Sequence, residues 1–242
     1  MNLWGRIKDF FKEYFFNTTW QCNVCNKEIF DGEYICKECE KELPFNDECI
    51  CGHCGRKLTV SQPYCSTCKE TLLSLDKCRS VFVYDKPINA LIKGAKYDNK
   101  IYLLEVFAKY LSNLYFKSYF NADYICFVPM TEKALKRRGY NQSEILARLV
   151  SEKVNVELID CLEKSKETTR QAKLTRRERL KNLESVFRVT KRKEIKEKTL
   201  LLIDDVTTTG ATAENIAKKL KNAGAKRVYL LSVASVPPRE GY

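Results

Sequence analysis

Apolar positions along the chain change their spacing in a regular order, and that order predicts an architecture. Residues 79–84 (RSVFVY) alternate as a strand does, Pro87 opens a short helix through INALIKGAKY, and residues 101–120 repeat apolar side chains at helical spacing. Residues 124–128 form a short apolar run that stops at Pro129, which reads as a strand; a helix is expected from about Glu144 to Lys153, and residues 156–159 predict one more strand. The strongest pattern is the unbroken apolar run Leu200, Leu201, Leu202, Ile203, of the kind carried by a strand buried on both faces. From Ala211 the segment ATAENIAKKLKNAG puts Ala213, Ile216, Ala217 and Leu220 on one helical face, with Gly224 placed to stop it. Strands alternating with helices predict an α/β fold, a mostly parallel open sheet flanked by helices. Ligands on such sheets collect at the C-terminal ends of the strands.

Polar chemistry begins where the strongest apolar run ends. Asp204 and Asp205 come first, then Thr207, Thr208, Thr209, Gly210, Ala211 and Thr212 lead into the helix. Hydroxyls, a glycine and unpaired backbone N–H groups at a helix start make a pocket for a phosphate, and the two carboxylates suit sugar hydroxyls or a divalent cation. The segment therefore reads as a holder for a phosphorylated sugar. Neither GxGxxG nor GxxxxGK[ST] occurs, so nucleotide-binding loops of those kinds are excluded.

The region before the sheet has a different composition. Of twelve cysteines, eight form four CxxC pairs: Cys22 and Cys25, Cys36 and Cys39, Cys51 and Cys54, Cys65 and Cys68. Each unit reads C-x2-C-x10-C-x2-C, and Cys51 follows Cys22 by 29 residues, as every ligand of the second unit follows its counterpart. Four thiolates on two tight turns complete a tetrahedral zinc site with no open position, so two structural zinc ions are expected, and no catalytic one. Asn26 and Gly55, just past each first knuckle, are types that tolerate the positive φ such a turn needs. Spacing leaves the connectivity open between two self-contained ribbons, which the duplication favours, and an interleaved pairing of Cys22/Cys25 with Cys51/Cys54. Cys49 is a substitute ligand, Cys126 and Cys161 read as buried thiols, and His53, the only histidine, reads as an exposed turn residue. One histidine leaves little room for a Ser-His-Asp or Cys-His triad.

Charge and length add a frame. The 242 residues suffice for one α/β core and a small accessory unit, and Lys plus Arg outnumber Asp plus Glu by 43 to 31, a formal charge of +12 that favours polyanionic partners. No apolar stretch is long enough to span a bilayer. At the N-terminus, Leu3, Ile7, Phe10, Phe11 and Tyr14 fall at helical spacing while Lys8, Asp9, Lys12 and Glu13 interrupt any secretory core. An amphipathic helix is expected there, docked on the protein or a partner, with peripheral membrane contact as a lesser alternative.

The strand, DD, TTTGAT and helix in that order resemble the signature of phosphoribosyltransferases. That resemblance implies a type I phosphoribosyltransferase-like domain in which Asp204 and Asp205 face the ribose of phosphoribosyl pyrophosphate (PRPP), with Mg²⁺ on its pyrophosphate, and residues 207–212 wrap the 5′-phosphate. Two CxxC ribbons, then LIKGAKY, VPMTEKALKRRGYNQSEILAR, TRQAKLTRRERLKNLESVF and LLIDDVTTTGAT narrow the resemblance to the ComF-type proteins of bacterial competence, over residues 20–236. With the amphipathic helix expected over 1–19, it implies a cytoplasmic protein of three parts, the others being a double zinc ribbon over 20–75 and the phosphoribosyltransferase-like domain over 76–242. It further implies a place in natural transformation, with single-stranded DNA and competence helicase or DNA-processing proteins as partners. Residues 164–181 fall where phosphoribosyltransferases carry a mobile lid, so Arg170, Gln171, Arg176 and Arg177 are expected over the pyrophosphate. The bland alternative there is a basic helix anchored by Leu174, Leu180, Leu183 and Phe187. Lys133, Arg137 and Arg138 form a second candidate pyrophosphate contact. The family pattern is broken at Thr208, where base-salvage enzymes carry an acid that takes a proton from the incoming base. PRPP binding without turnover, and a DNA- or partner-binding module, are therefore carried beside transfer to an unnamed acceptor.

Overall fold

The structure, a computed structural model, describes residues 21–30, 32–70, 73–165 and 186–237. The amphipathic segment expected over 1–19 lies outside the described residues. The small cysteine-rich unit contributes two one-turn helices, α1 (Lys37–Lys41) and α2 (Ser66–Glu70), and the rest alternates strands and helices. In chain order these are β1 (Lys77–Val83), α3 (Lys86–Tyr97), α4 (Leu103–Lys117), β2 (Tyr124–Phe127), α5 (Glu132–Arg138), α6 (Gln142–Val154), β3 (Leu162–Lys164), β4 (Phe187–Val189), α7 (Arg192–Ile195), β5 (Thr199–Thr207), α8 (Ala211–Asn222) and β6 (Arg227–Ser235).

Four strands form a parallel sheet in the order β1-β6-β5-β2. Its middle strand β5 shows why an unbroken apolar run was needed. Side chains alternate across a strand, so Leu201 and Ile203 enter the core shared with α3, α4 and α6, while Leu200 and Leu202 enter the core shared with α8, β3 and β4. Each face must be apolar because helices cover both. Local signals set the helix ends: Asp85 caps α3 with Pro87 in its first turn, and Gly139 at φ 85° stops α5.

Three expectations need revision. Residues 156–159 make only one bridge, Ile125 to Leu158, because two backbone bonds at Ile125 are the whole of the pairing. Phe187, read as a helix anchor, begins β4 and pairs antiparallel with Lys164 of β3; its alternate neighbours Phe187 and Val189 are buried while Arg188 is exposed, the period of a strand. The strand β6 was not anticipated at all, yet it lies between β1 and β5 with eight of its nine residues not exposed.

The outer edge of β1 is occupied by the cysteine-rich unit. Phe45 bridges antiparallel to Phe82, Asn46 N donates to Val81 O (2.8 Å), Val83 N to Pro44 O (2.8 Å) and Cys78 N to His53 O (2.7 Å). Backbone groups that an edge strand would leave open are thus satisfied from within the chain.

Candidate functional site

The acidic pair emerges where β5 outgrows its neighbour. Register with β2 ends at Phe127 opposite Ile203, so the next two residues of β5 stand at the lip of the sheet. Asp204 Oδ1 accepts the Asp205 N–H (2.8 Å) and the Ser143 hydroxyl (3.2 Å), the latter from the first turn of α6. Lys96, from the last turn of α3, meets Asp205 Oδ2 at 2.6 Å, with 15% and 18% of the two side chains exposed. Burial and the neighbouring Asp205 charge push the Asp204 carboxyl up to about 7, against the pull of the Asp205 amide, Lys96 and Ser143. A cation or hydroxyl donor bound beside it would favour the ionised carboxylate.

Beyond the carboxylates the chain turns into α8. Thr207 Oγ1 donates to Ser232 Oγ (3.0 Å), which in turn bonds Ser80 Oγ (2.8 Å), a row of hydroxyls crossing β5, β6 and β1. Gly210 precedes α8 at φ 75°, and a Cβ there would meet nothing within 4 Å, so the loop is uncrowded at that point. The N-cap residue, Gly210, has no side chain to cap α8. The Ala211 amide reaches Thr209 Oγ1 at 3.4 Å, and a helix start led by glycine and threonine hydroxyls is the arrangement that binds anions.

The cationic candidates divide. Lys133 and Arg137 are exposed on α5, whereas Arg138 is anchored: it donates to Gln142 Oε1 (2.7 Å) and Tyr97 OH (3.3 Å) and lies 5.2 Å from the centre of the Tyr97 ring. Arg170, Gln171, Arg176 and Arg177 lie outside the described residues.

The eight paired cysteines assemble as two groups, Cys22/Cys25/Cys36/Cys39 and Cys51/Cys54/Cys65/Cys68, with the sulfurs of each group within 4.8 Å of one another. This geometry selects two sequential ribbons and removes the interleaved pairing; Cys49 belongs to neither group. The residues fit Zn²⁺. Asn26 at φ 62° and Gly55 at φ 65° turn the knuckles, and the Cys36 and Cys65 amides donate to the Cys22 and Cys51 sulfurs at 3.3 Å each. Burial opposes ionisation of Cys22 and Cys51, yet such backbone donors bring their thiols down to about 6 and about 7, towards the thiolate that a metal takes. Tyr34, in the first ribbon, stacks on Tyr102 at 4.7 Å against the main core.

The second ribbon reaches the loop. Arg56 Nη2 donates to Thr208 O at 3.2 Å, and His53, Cys54 and Arg56 line one crevice together with Thr207, Thr209 and Gly210. His53 is therefore not an exposed turn residue: it is half-buried in this crevice, with its Nε2 enclosed and unpartnered. Lys96, Ser143 and Arg56 were missed as site residues. LIKGAKY and GYNQS already carried the first two as motif members, but nothing local in the sequence marks Arg56.

Comparison with known proteins agrees with this layout. Residues 134–241 match the family model described as a phosphoribosyl transferase domain, and residues 14–69 match the double zinc ribbon domain. The chain is 35% identical over 155 residues to Competence protein ComFC of Streptococcus pneumoniae, covering 64% of this chain and 66% of that one, just under two thirds of its length. Competence protein F of Haemophilus influenzae is 29% identical over 66% of this chain and 73% of its own. DNA utilization protein YhgH of Escherichia coli K12 is 32% identical over 44% of this chain and 46% of its own.

Proposed function

The chain belongs to the ComF family, a double zinc ribbon joined to a phosphoribosyltransferase-type domain, and from that premise we propose that it binds PRPP in the service of DNA uptake and processing during natural transformation. The observation that carries this is the pairing, at the end of one strand, of two carboxylates with a glycine-led helix start. Asp204 and Asp205 take the ribose hydroxyls, and the hydroxyls and amides of residues 207–212 take the 5′-phosphate. Lys96, already paired with Asp205, supplies a cation beside the sugar; Lys133 and Arg137 offer their charges to the pyrophosphate from α5, with Arg138 fixing that helix against Tyr97. Mg²⁺ bound with PRPP would neutralise charge on the pyrophosphate as it leaves. Arg170, Gln171, Arg176 and Arg177 are assigned to the lid on the family resemblance alone.

Transfer to an acceptor is the leading activity, since substitution at the anomeric carbon needs charge stabilisation and positioning but no covalent nucleophile. Binding without turnover is the second reading, favoured by Thr208, a hydroxyl where base-salvage enzymes hold a proton acceptor. Single-stranded DNA and competence DNA-processing proteins are the proposed partners. The names of the relatives and the +12 charge support them. The proposed compartment is the cytoplasm; among the described residues, no helix is long and apolar enough to cross a membrane.

Calorimetry with PRPP and Mg²⁺ tests the site. Replacing Asp204 and Asp205 together by Asn should weaken PRPP at least tenfold, the order expected for losing charged hydrogen bonds, with zinc content unchanged. Unaltered affinity removes both residues from the site. Pyrophosphate release scanned over nucleobases and single-stranded DNA then separates a transferase from a binder.

A further inference from the structure

The second zinc ribbon is tied at one end to the loop and at the other to the helix that follows it; among the described residues the first ribbon is tied to neither. At the knuckle, Arg56 O accepts the amide of the zinc ligand Cys51 (2.9 Å) while its guanidinium holds Thr208 O (3.2 Å), so one residue connects the metal turn to the loop. At the exit, the chain leaving Cys68 gives the amides of Ser74 and Leu75 to the Glu214 carboxylate in the first turn of α8, the second of these at 3.4 Å. The knuckle is itself fastened to β1 and to the segment paired with it, with Arg79 Nη1 donating to Gly52 O (3.1 Å) and Asn46 Nδ2 to Gly55 O (2.7 Å). By contrast, the first ribbon docks on α4 and the residues before it through Asn23 with Tyr102 and Lys100, Glu33 with Lys109, and Glu40 with Tyr110.

We propose that the metal of the Cys51/Cys54/Cys65/Cys68 ribbon regulates the sugar-phosphate site, with Arg56 as the positioning residue that transmits its state to the loop. A peptide group has its carbonyl and amide on opposite sides. Holding the Thr208 carbonyl toward the ribbon turns the following amide to the opposite side, where it is free to serve the loop to which the 5′-phosphate is assigned. Loss of zinc releases the knuckle, and with it the carbonyl. The coupling is reciprocal: a phosphate that needs the ordered loop must also tighten zinc in the second ribbon, and leave zinc in the first unchanged. This inference rests on the assignment of the loop to a phosphorylated sugar.

The test uses the full chain loaded with zinc, PRPP with Mg²⁺ as the probe, and a colorimetric chelator to follow zinc release. In the unaltered protein PRPP should slow the release of one zinc equivalent of the two. Arg56→Ala should retain both zincs, bind PRPP about tenfold more weakly, as expected for one lost charge-assisted hydrogen bond, and show no protection of either zinc. Arg56→Lys, which keeps the charge but not the fork, should recover part of both effects. Equal protection of both zincs, or PRPP affinity unchanged in Arg56→Ala, overturns the coupling while leaving the PRPP reading standing. Absence of any PRPP binding by the unaltered protein overturns the reading itself, and the coupling with it.

Discussion

Asn23 in the first ribbon and Gly52 in the second occupy the same place in a 29-residue repeat, and they face different neighbours. The metal frame is copied closely. Cys22 N bonds Lys27 O at 2.8 Å and Cys51 N bonds Arg56 O at 2.9 Å, while Gln21 bridges Glu28 as Ile50 bridges Lys57. The positions between the ligands are where the copies part. Val24 packs on the main core where His53 lines the crevice; Asn26 turns the first knuckle where Gly55 turns the second; Lys27 stands where Arg56 reaches Thr208. Gly55 has a reason of its own, since a Cβ there would lie 2.3 Å from Cys78 O. The ligand set makes a ribbon, and the residues between the ligands decide what that ribbon holds in place.

Exchanging residues between the copies is the most direct way to break this comparison. Gly55→Asn installs the first ribbon's residue in the second; the φ is tolerable, the clash is not, and a loss of about 3 kcal/mol in denaturant unfolding is expected. The reverse exchange, Asn26→Gly, should change stability by no more than about 0.5 kcal/mol. Equal costs would mean that the second knuckle is not pressed against β1.

A smaller effect sharpens the contrast from the loop side. The Asp204 carboxyl is raised to about 7 from 3.8, so the folded state holds its proton more firmly than the unfolded chain does. The stability it contributes is complete below about pH 4 and is lost as pH rises through 7. Asp204→Asn removes that loss: its stability advantage over the unaltered protein should grow between pH 5 and 8 to about 2 kcal/mol, even as PRPP affinity falls. An advantage that does not vary with pH would place the titration elsewhere.

Next comes Asn23→Ala, which removes bonds to Tyr34 O (3.0 Å), Tyr102 OH (2.9 Å) and Lys100 Nζ (3.2 Å). It should cost about 1 kcal/mol of stability and leave PRPP affinity alone. Lys27→Arg is the smallest: within about 0.5 kcal/mol in stability and silent in PRPP calorimetry, although it makes the first ribbon match the second at the Arg56 position.

Legibility from sequence followed locality. The β5 run, its two aspartates, the Thr/Gly loop and the amphipathic α8 are contiguous, so spacing alone exposed them; the CxxC units were readable for the same reason. Ribbon connectivity was readable only as the preference the duplication gives to self-contained ribbons, because both pairings fit the spacings and the sulfur distances decide between them. Lys96 and Arg56 reach Asp205 and Thr208 across the fold, and no periodicity records a contact of that kind. Phe187 was misread because one apolar residue satisfies a helical stripe as easily as a two-residue period, and only its pairing with β3 decides. Strand β6 escaped because its apolar residues end on no distinctive chemistry.

The covered edge of β1 carries a consequence for the life of the protein in a cell. Pro44, Asn46 and His53 satisfy that edge only while the ribbons keep their shape. A chain short of metal would present an open, largely apolar strand to other chains, and self-association would follow. Zinc starvation that empties both ribbons should then lower the amount of soluble protein, so that its abundance reports the metal status of the cell.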